Sequence, residues 1–102
     1  MEKRRCSRDL AKIKAAFSNT AKLRRTKTSA RDAAALGMDS EAVIGVIQTL
    51  IYPRDFEKSA TAHHDSRQWH DSYKPRVGVR TLYLKFTVDE TGDFLLTSFK
   101  EA

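Results

Sequence analysis

The stretch DFEKSATAHHDSRQWHDSYKP, residues 55–75, gathers lysine, histidine, tryptophan and tyrosine side chains within a short distance along the chain. Cleavage of RNA by internal transphosphorylation needs a base for the 2′-OH, an acid for the leaving 5′-oxygen and cations for the phosphorane charge. Histidine, lysine and tyrosine can supply all three without a metal. The lysine, histidine and tyrosine side chains of this stretch are therefore candidates for this chemistry, and Trp69 and Tyr73 are candidates for stacking on splayed bases.

Further polar candidates lie on two predicted strands near the C-terminus. Residues 79–88, VRTLYLKFTV, alternate between apolar and polar side chains, and residues 94–100 form a second strand after the turn signal DETGD. If both apolar rows face the core, the paired residues are Val88–Leu95, Leu84–Phe99 and Tyr83–Lys100, because a one-residue slip would turn the apolar row to solvent. The opposite, polar face is then predicted to bring together Tyr83, Lys85, Ser98 and Lys100.

The elements that must position these residues follow from the rest of the pattern. Between Pro53 and Pro75 we predict two more strands, 56–63 and 69–75, connected by HDSR. The fold is therefore predicted to be α+β, with N-terminal helices packed on one face of an antiparallel sheet whose other face is partly open.

The first half of the chain has helical spacing. A helix from Ser7 to about Ser18 is predicted from Leu10, Ile13 and Phe17, with Ser7 as its N-cap. Residues 23–29 are either an edge strand or a loop. The next helix is predicted to start with a capping box of Ser29 and Asp32 and to end at Gly37. Asp39 is predicted to cap the last helix, whose apolar stripe is Val43, Ile47, Leu50 and Ile51.

The net charge of +6 is concentrated in the N-terminal third. Residues 1–31 contain eleven lysines and arginines against two acids, whereas residues 32–57 contain one arginine against five acids. A block with a balance of +9 indicates contact with nucleic acid, an anionic membrane surface or an acidic protein. For an RNA-cleaving protein, we expect part of this block to flank the sheet face and guide RNA, with an affinity that falls as salt rises.

Composition limits the other classes of protein. With 102 residues, 40% hydrophobic and 31% charged, the chain is expected to form a single domain over residues 1–102. The longest strongly apolar stretch, residues 42–52, is too short to cross a bilayer, and no apolar signal segment follows the basic start. One cysteine, Cys6, fits a reducing compartment, and no ligand spacing predicts a metal site. We expect a cytoplasmic protein without membrane contact.

A second hypothesis is a non-catalytic DNA-binding regulator that uses residues 30–50 and the basic N-terminal arm. That segment spaces small, turn and apolar residues like a helix-turn-helix unit, at Ala33, Gly37, Val43 and Val46. However, its second helix opens with Asp39 and Glu41, which place negative charge where phosphates would be met, and only Gln48 could read a base. We therefore favour a packed helix pair.

Several separated blocks of the sequence, in order and with matching gaps, resemble the MqsR (motility quorum-sensing regulator) toxin family. The blocks are MEKR at the start, DFEKS, WHDSYKPR, YLKFTV and the terminal SFKE, and the resemblance covers nearly the whole chain. It implies a RelE-like toxin fold and a metal-independent, ribosome-independent mRNA interferase that selects GCU-type sites and uses no cofactor. It also implies mRNA as substrate and a zinc-binding helix-turn-helix antitoxin, MqsA-like, as partner, with operator DNA bound only through the toxin–antitoxin complex.

The resemblance also implies roles for individual residues. The family's functional lysines and tyrosine fall on Lys58, Lys74, Lys100 and Tyr83. His70 stands in place of a functional glutamine, Glu57 in place of an aromatic residue and Ala60 in place of a methionine, so the cleavage preference is expected to differ. We predict as catalytic Lys58, His70, Tyr83 and Lys100. We predict as RNA-binding Lys74, Arg76, Lys85 and Trp69.

Overall fold

A computed structural model describes all 102 residues, and it contains three α-helices and six β-strands. The helices are α1 (Leu10–Ala16), α2 (Lys27–Ala35) and α3 (Ser40–Thr49), with a short 3-10 helix (Thr20–Lys22) after α1. The strands are β1 (Glu2–Lys3), β2 (Phe56–Ala62), β3 (Asp65–Tyr73), β4 (Arg76–Val77), β5 (Arg80–Val88) and β6 (Phe94–Glu101). The predicted α+β class is confirmed. No helix is long and apolar enough to cross a membrane.

The strands form one antiparallel sheet in the order β1-β2-β3-β5, with β6 on the far side of β5. β4 continues the line of β3 along β5, because Tyr73 pairs with Leu84 and Arg76 pairs with Thr81 in the same register. β5 is therefore the central strand of the C-terminal half, and its side chains decide what each face of the sheet presents.

Fifteen buried apolar residues form the core between the helices and one face of the sheet. Leu82, Leu84 and Phe86 of β5 are fully buried in it, as the alternating pattern predicts. Tyr73 is also fully buried, in edge contacts with Phe56 and Phe86 at ring-centroid distances of 5.5 and 6.0 Å. The expectation that Tyr73 stacks on bases is wrong, because alternation along β3 turns its ring into the core.

The helix ends differ from the prediction at two caps. α1 is capped by Asp9 rather than Ser7, since the Asp9 carboxylate accepts from Ala11 N at 3.0 Å. α2 is capped by Thr26, and Ser29 lies buried inside the helix, so the capping box is wrong. Asp39 caps α3 as predicted, accepting from Ala42 N at 2.9 Å. α3 ends at Thr49, and Ile51 beyond it is exposed rather than part of the apolar stripe.

Gly37 follows α2 with a φ of 75°, a left-handed conformation that glycine adopts without steric cost, so this end is as predicted. The basic segment before α2 is extended and makes a single parallel bridge, between Arg25 and Leu96, at the edge of β6. The edge strand that was one of two alternatives for residues 23–29 is therefore only partly present, because Lys27–Ser29 already belong to α2.

The helix pair at residues 30–50 exists, but it gives Gln48 a structural role. The Gln48 amide donates to Lys14 O at 2.7 Å and to Phe17 O at 2.9 Å, which satisfies carbonyl groups at the end of α1. The only side chain of α3 that the sequence offered for base reading is therefore engaged within the protein. This contact favours the packed helix pair over the DNA-binding regulator.

The register between β5 and β6 is partly as predicted. Tyr83 pairs with Lys100 and Leu84 with Phe99, but a bulge between Lys85 and Phe86 shifts the rest, so that Val88 pairs with Phe94 rather than Leu95. Thr97 is the extra residue at the bulge. The shift lets Leu96 and Phe99, three positions apart, both point into the core, whereas strict alternation would have buried Leu95 and Thr97.

The β2–β3 hairpin is tighter than predicted. The turn lies at His63 and His64, and Asp65–Arg67, which the prediction placed in the connection, already belong to β3. The strands pair irregularly near the turn, where Thr61 pairs with Trp69 and Ala62 with Asp65. Between Lys58 and Thr61 the pairing of β2 with β3 is regular.

The N-terminus forms the outermost strand, which sequence patterns did not predict. Glu2 pairs with Ala60 and Lys3 with Ser59. The segment that follows is anchored to the sheet by the buried Asp71 carboxylate, which accepts from the backbone N–H groups of Ser7 and Arg8 at 2.9–3.0 Å. The basic N-terminus is therefore held along the edge of β2.

Candidate active site

The face of the sheet opposite the helices is polar and open. One row of directly paired residues crosses four strands of this face: Lys58, Ser72, Lys85 and Ser98. Tyr83 and Lys100, which pair with each other, lie next to this row on β5 and β6. The predicted neighbours on the polar face are therefore confirmed, because β5 alternates and the bulge lies beyond Lys85.

Two adjoining hollows follow this face and together form what we call the polar groove. The first hollow, of about 500 Å³, is lined by charged and polar residues: Glu57, Lys58, Lys74, Tyr83, Lys85, Ser98, Lys100 and Glu101. The second, of about 470 Å³, holds His70 with the turn histidines and shares with the first hollow Lys58, Tyr83 and Lys85. The structure thus brings the four predicted catalytic residues, Lys58, His70, Tyr83 and Lys100, to one continuous groove.

Lys58 lies at the outer end of the groove and is held by the N-terminal strand. Its Nζ lies 2.5 Å from the Glu2 carboxylate, an ion pair that β1 makes possible by pairing with β2. The hydrogen bond and charge of Glu2 raise the pKa of Lys58. The side chain is therefore a permanent cation at neutral pH, suited to neutralise phosphate charge rather than to transfer a proton.

Two more cations, Lys85 and Lys100, approach Tyr83 from its own strand and from β6. Lys100 Nζ lies 5.7 Å from the centre of the Tyr83 ring. Burial, and then the charge of Lys100, lower the pKa of Lys85. Positive charge is therefore crowded around the phenol, an arrangement that attracts a phosphodiester and stabilises charge that develops on it.

His70 is half-buried in the second hollow, and its Nδ1 atom is buried without a hydrogen-bond partner. Burial is the largest cause that lowers its pKa, followed by the charges of Lys85 and His64; Asp71 has a smaller, opposite effect. The ordinary value is 6.5, so the imidazole is neutral at pH 7. A neutral imidazole beside a phosphate-binding groove can accept a proton.

Glu57 enters the groove because of a second bulge. β2 shifts register between Phe56 and Lys58, so Glu57 has no partner on β3 and its side chain joins that of Lys58 on the open face. Its carboxylate lies 2.6 Å from Lys74 Nζ and accepts from Ser72 Oγ at 2.9 Å. Burial raises the pKa of Glu57, but these two hydrogen bonds outweigh it and lower the pKa overall.

The predicted RNA-binding residues are divided between locations. Lys74 and Lys85 line the groove, and Arg76 lies farther along the same face, where it pairs with Thr81 outside the groove. Trp69 alternates with His70 along β3 and lies on the opposite face, where Lys3 Nζ sits 4.2 Å from its ring. The structure therefore separates Trp69 from the groove, and the ring is half-buried rather than part of the core.

The sequence patterns did not predict that Glu2, Glu57 and Ser72 contact the residues of the groove. No local signal marks Glu2, because a two-residue strand has no periodicity. Glu57 was noted only as a departure at its position, and Ser72 follows His70 by two residues, so alternation along β3 would have placed both on one face. No group of three or more histidine, cysteine or acidic side chains is arranged to hold a metal ion.

Comparisons with known proteins agree with this architecture. A family model described as "Motility quorum-sensing regulator, toxin of MqsA" matches residues 5–101. The chain is 38% identical over 101 residues to the mRNA interferase toxin MqsR of Escherichia coli (strain K12), and the match covers 99% of each chain. Both matches span the strands that line the polar groove.

Proposed function

We propose, from the premise that this chain belongs to the motility quorum-sensing regulator toxin family, that it is an mRNA interferase. In this role it is an endoribonuclease that cleaves mRNA and so inhibits translation and growth. The observation that carries the proposal is the polar groove, in which four lysines, a tyrosine and a histidine meet on one open face of the sheet.

The groove supports a reaction in which the 2′-OH attacks the adjacent phosphate. Lys58 and Lys100 approach the groove from opposite sides and stabilise the charge of the phosphorane. The 2′-OH loses its proton as its oxygen bonds to phosphorus, and the leaving 5′-oxygen gains one as its bond breaks. The products are a 2′,3′-cyclic phosphate and a 5′-OH.

His70 and Tyr83 share the two proton transfers. The lowered pKa of His70 keeps its ring neutral, which is the form that takes the proton of the 2′-OH. Tyr83, flanked by lysines, is then the proposed acid that protonates the leaving 5′-oxygen. Each step uses side chains of this protein, so we propose that cleavage needs neither a metal ion nor the ribosome.

Lys74, Lys85 and Arg76 extend the basic surface along the sheet, and Arg4, which follows the N-terminal strand, lies beside Lys58. We propose that these residues bind the phosphates of single-stranded RNA on either side of the cleavage site, a contact that is sequence-independent and sensitive to salt. Trp69 stays a proposed RNA contact only for a strand that wraps around the edge of the sheet.

The family's description as the toxin of an antitoxin implies a protein partner. We propose a cognate antitoxin that carries a zinc-binding module and a helix-turn-helix domain, through which the pair binds operator DNA. The engagement of Gln48 within the protein supports an assignment of DNA binding to the partner rather than to this chain. Action on mRNA places the proposed activity in the cytoplasm.

The experiment that tests the function is cleavage of a defined RNA by the purified protein in EDTA, without ribosomes. We expect fragments that end in 2′,3′-cyclic phosphate. Lys58→Met should lower the rate about 100- to 1,000-fold, the cost of losing one charge-stabilising donor. Lys12→Met, which removes the same charge from the exposed face of α1, should cleave normally. Intact RNA with the wild-type protein would refute the proposal.

A further inference from the structure

Glu57 is an anion in the most basic part of the protein surface. Four lysines line the same hollow: Lys58, Lys74, Lys85 and Lys100. A groove that serves only to attract phosphate would be stronger without this carboxylate, since like charges repel. Its side chain is 24% exposed, so it faces the groove rather than open solvent.

The carboxylate is held in one position. Ser72 Oγ donates to Oε1 at 2.9 Å, and Lys74 Nζ lies 2.6 Å from Oε2. The hydroxyl and the ammonium keep the pKa of Glu57 low, so the group is ionised at neutral pH. An ionised carboxylate has about four lone-pair sites, so each oxygen can still accept a second hydrogen bond from a ligand in the groove.

A fixed anion decides which part of an RNA strand can lie against it. Phosphates are repelled there and go to the surrounding lysines, so the neighbouring group of the strand must be a neutral hydrogen-bond donor. The 2′-OH is such a donor, but every nucleotide has one and it gives no selectivity. The base edges of single-stranded RNA are free to be read, and exocyclic amino groups donate to carboxylates, whereas the single N3–H donor of uracil lies between two carbonyl oxygens that repel a carboxylate.

We propose that Glu57 is a specificity-determining residue, which selects a base with an exocyclic amino group over uracil at one position next to the cleaved phosphate. This inference rests on the proposed function above. The bulge in β2 is the structural device: it places Glu57 and Lys58 side by side on one face, so that the base reader and a phosphate-binding lysine are adjacent.

The test maps cleavage sites in a pool of RNA with randomised sequence. The wild type is expected to cut with uracil depleted about tenfold or more at one position, the discrimination given by one hydrogen bond to a charged group. Glu57→Ala should abolish this depletion, because no acceptor remains. Glu57→Gln should abolish or invert it, because the amide adds a donor that suits the uracil carbonyls.

Two control variants separate direct reading from general effects. Glu101→Gln removes the charge of the other carboxylate that lines the hollow and should keep the base preference. Lys74→Met releases Glu57 Oε2 while leaving the carboxylate, and it should weaken cleavage of all sequences about equally. A base preference altered in Lys74→Met in the same way as in Glu57→Gln would overturn direct reading by Glu57.

The outcomes distinguish this inference from the function on which it rests. No cleavage of the pool by the wild type would refute the function itself. Cleavage by the wild type and both Glu57 variants with the same base frequencies would overturn the specificity role alone. Loss or inversion of the uracil depletion in the Glu57 variants, with Glu101→Gln unchanged, would establish it.

Discussion

Replacement of Asp71 by alanine should unfold the protein far more easily than any surface substitution. The carboxylate is 1% exposed and accepts from two backbone donors, Ser7 N and Arg8 N, at 2.9–3.0 Å. Without it, both part-buried N–H groups lose their hydrogen-bond partner. A hydrogen bond to a charged group contributes about 1.5–3 kcal/mol, so the loss of both should lower the free energy of unfolding by about 3–6 kcal/mol.

A domain of this size has a free energy of unfolding of about 5–15 kcal/mol, so the predicted loss is a large fraction of the total. At about 4–8 °C per kcal/mol, the melting temperature should fall by about 12–48 °C. Asp71→Asn keeps one acceptor oxygen and should lose about half as much. Asp32→Ala, on α2, makes no such contacts and should change stability by less than about 0.5 kcal/mol.

Urea and thermal unfolding of the three variants would measure these differences. Hydrogen exchange adds a local readout, because Asp71 anchors the segment that follows β1, and Thr61 N donates to Met1 O at 2.9 Å. The Thr61 amide should exchange faster in Asp71→Asn under conditions where the core stays protected. An unfolding free energy for Asp71→Ala within about 1 kcal/mol of the wild type would refute the reasoning.

Three further predictions concern the groove. The pKa of His70 is lowered in the folded chain, so just below pH 6.5 the unfolded chain binds a proton that the folded chain does not, and stability should rise with pH up to 6.5. His70→Gln should remove this rise, as unfolding measured at several pH values would show. It should also remove the acidic limb of the pH profile of kcat. Glu2→Gln frees Lys58 for phosphate and should lower KM for RNA about two- to fivefold with kcat unchanged; a higher KM would contradict this. Arg4→Gln should reduce the slope of log affinity against log salt by about 0.7, measured by RNA titration at several salt concentrations, and an unchanged slope would remove Arg4 from the RNA path.

The parts of the fold that could be predicted are those with a strong local period. The alternation of Leu82, Leu84 and Phe86 identified both the strand and its buried face, and with Phe99 it was enough to pair Tyr83 with Lys100. The cap at Asp39 could also be predicted, because an aspartate just before an apolar helical stripe can accept from the free N–H three residues later. Such signals act within a few residues, so no knowledge of the rest of the chain is needed.

Trp69 shows a separation of neighbouring residues that alternation itself could have predicted. Its neighbour His70 was assigned to the same RNA surface, yet successive residues of a strand point to opposite faces. The structure places His70 in the groove and Trp69 behind the sheet, beneath Lys3. Composition grouped the two residues, whereas the geometry of the strand separates them.

The sequence by itself determined the class of fold, the central strand, the pair Tyr83–Lys100 and the family, because each depends on side-chain periods or on blocks of adjacent residues. Only the tertiary structure decided the two bulges, the β1 edge strand and the contacts of Glu2 and Glu57 with lysines. The physical reason is that a bulge or an edge pairing is selected by packing between segments far apart in the chain. One inserted residue then changes which side chains share a face, and no local sequence pattern indicates where that residue is inserted.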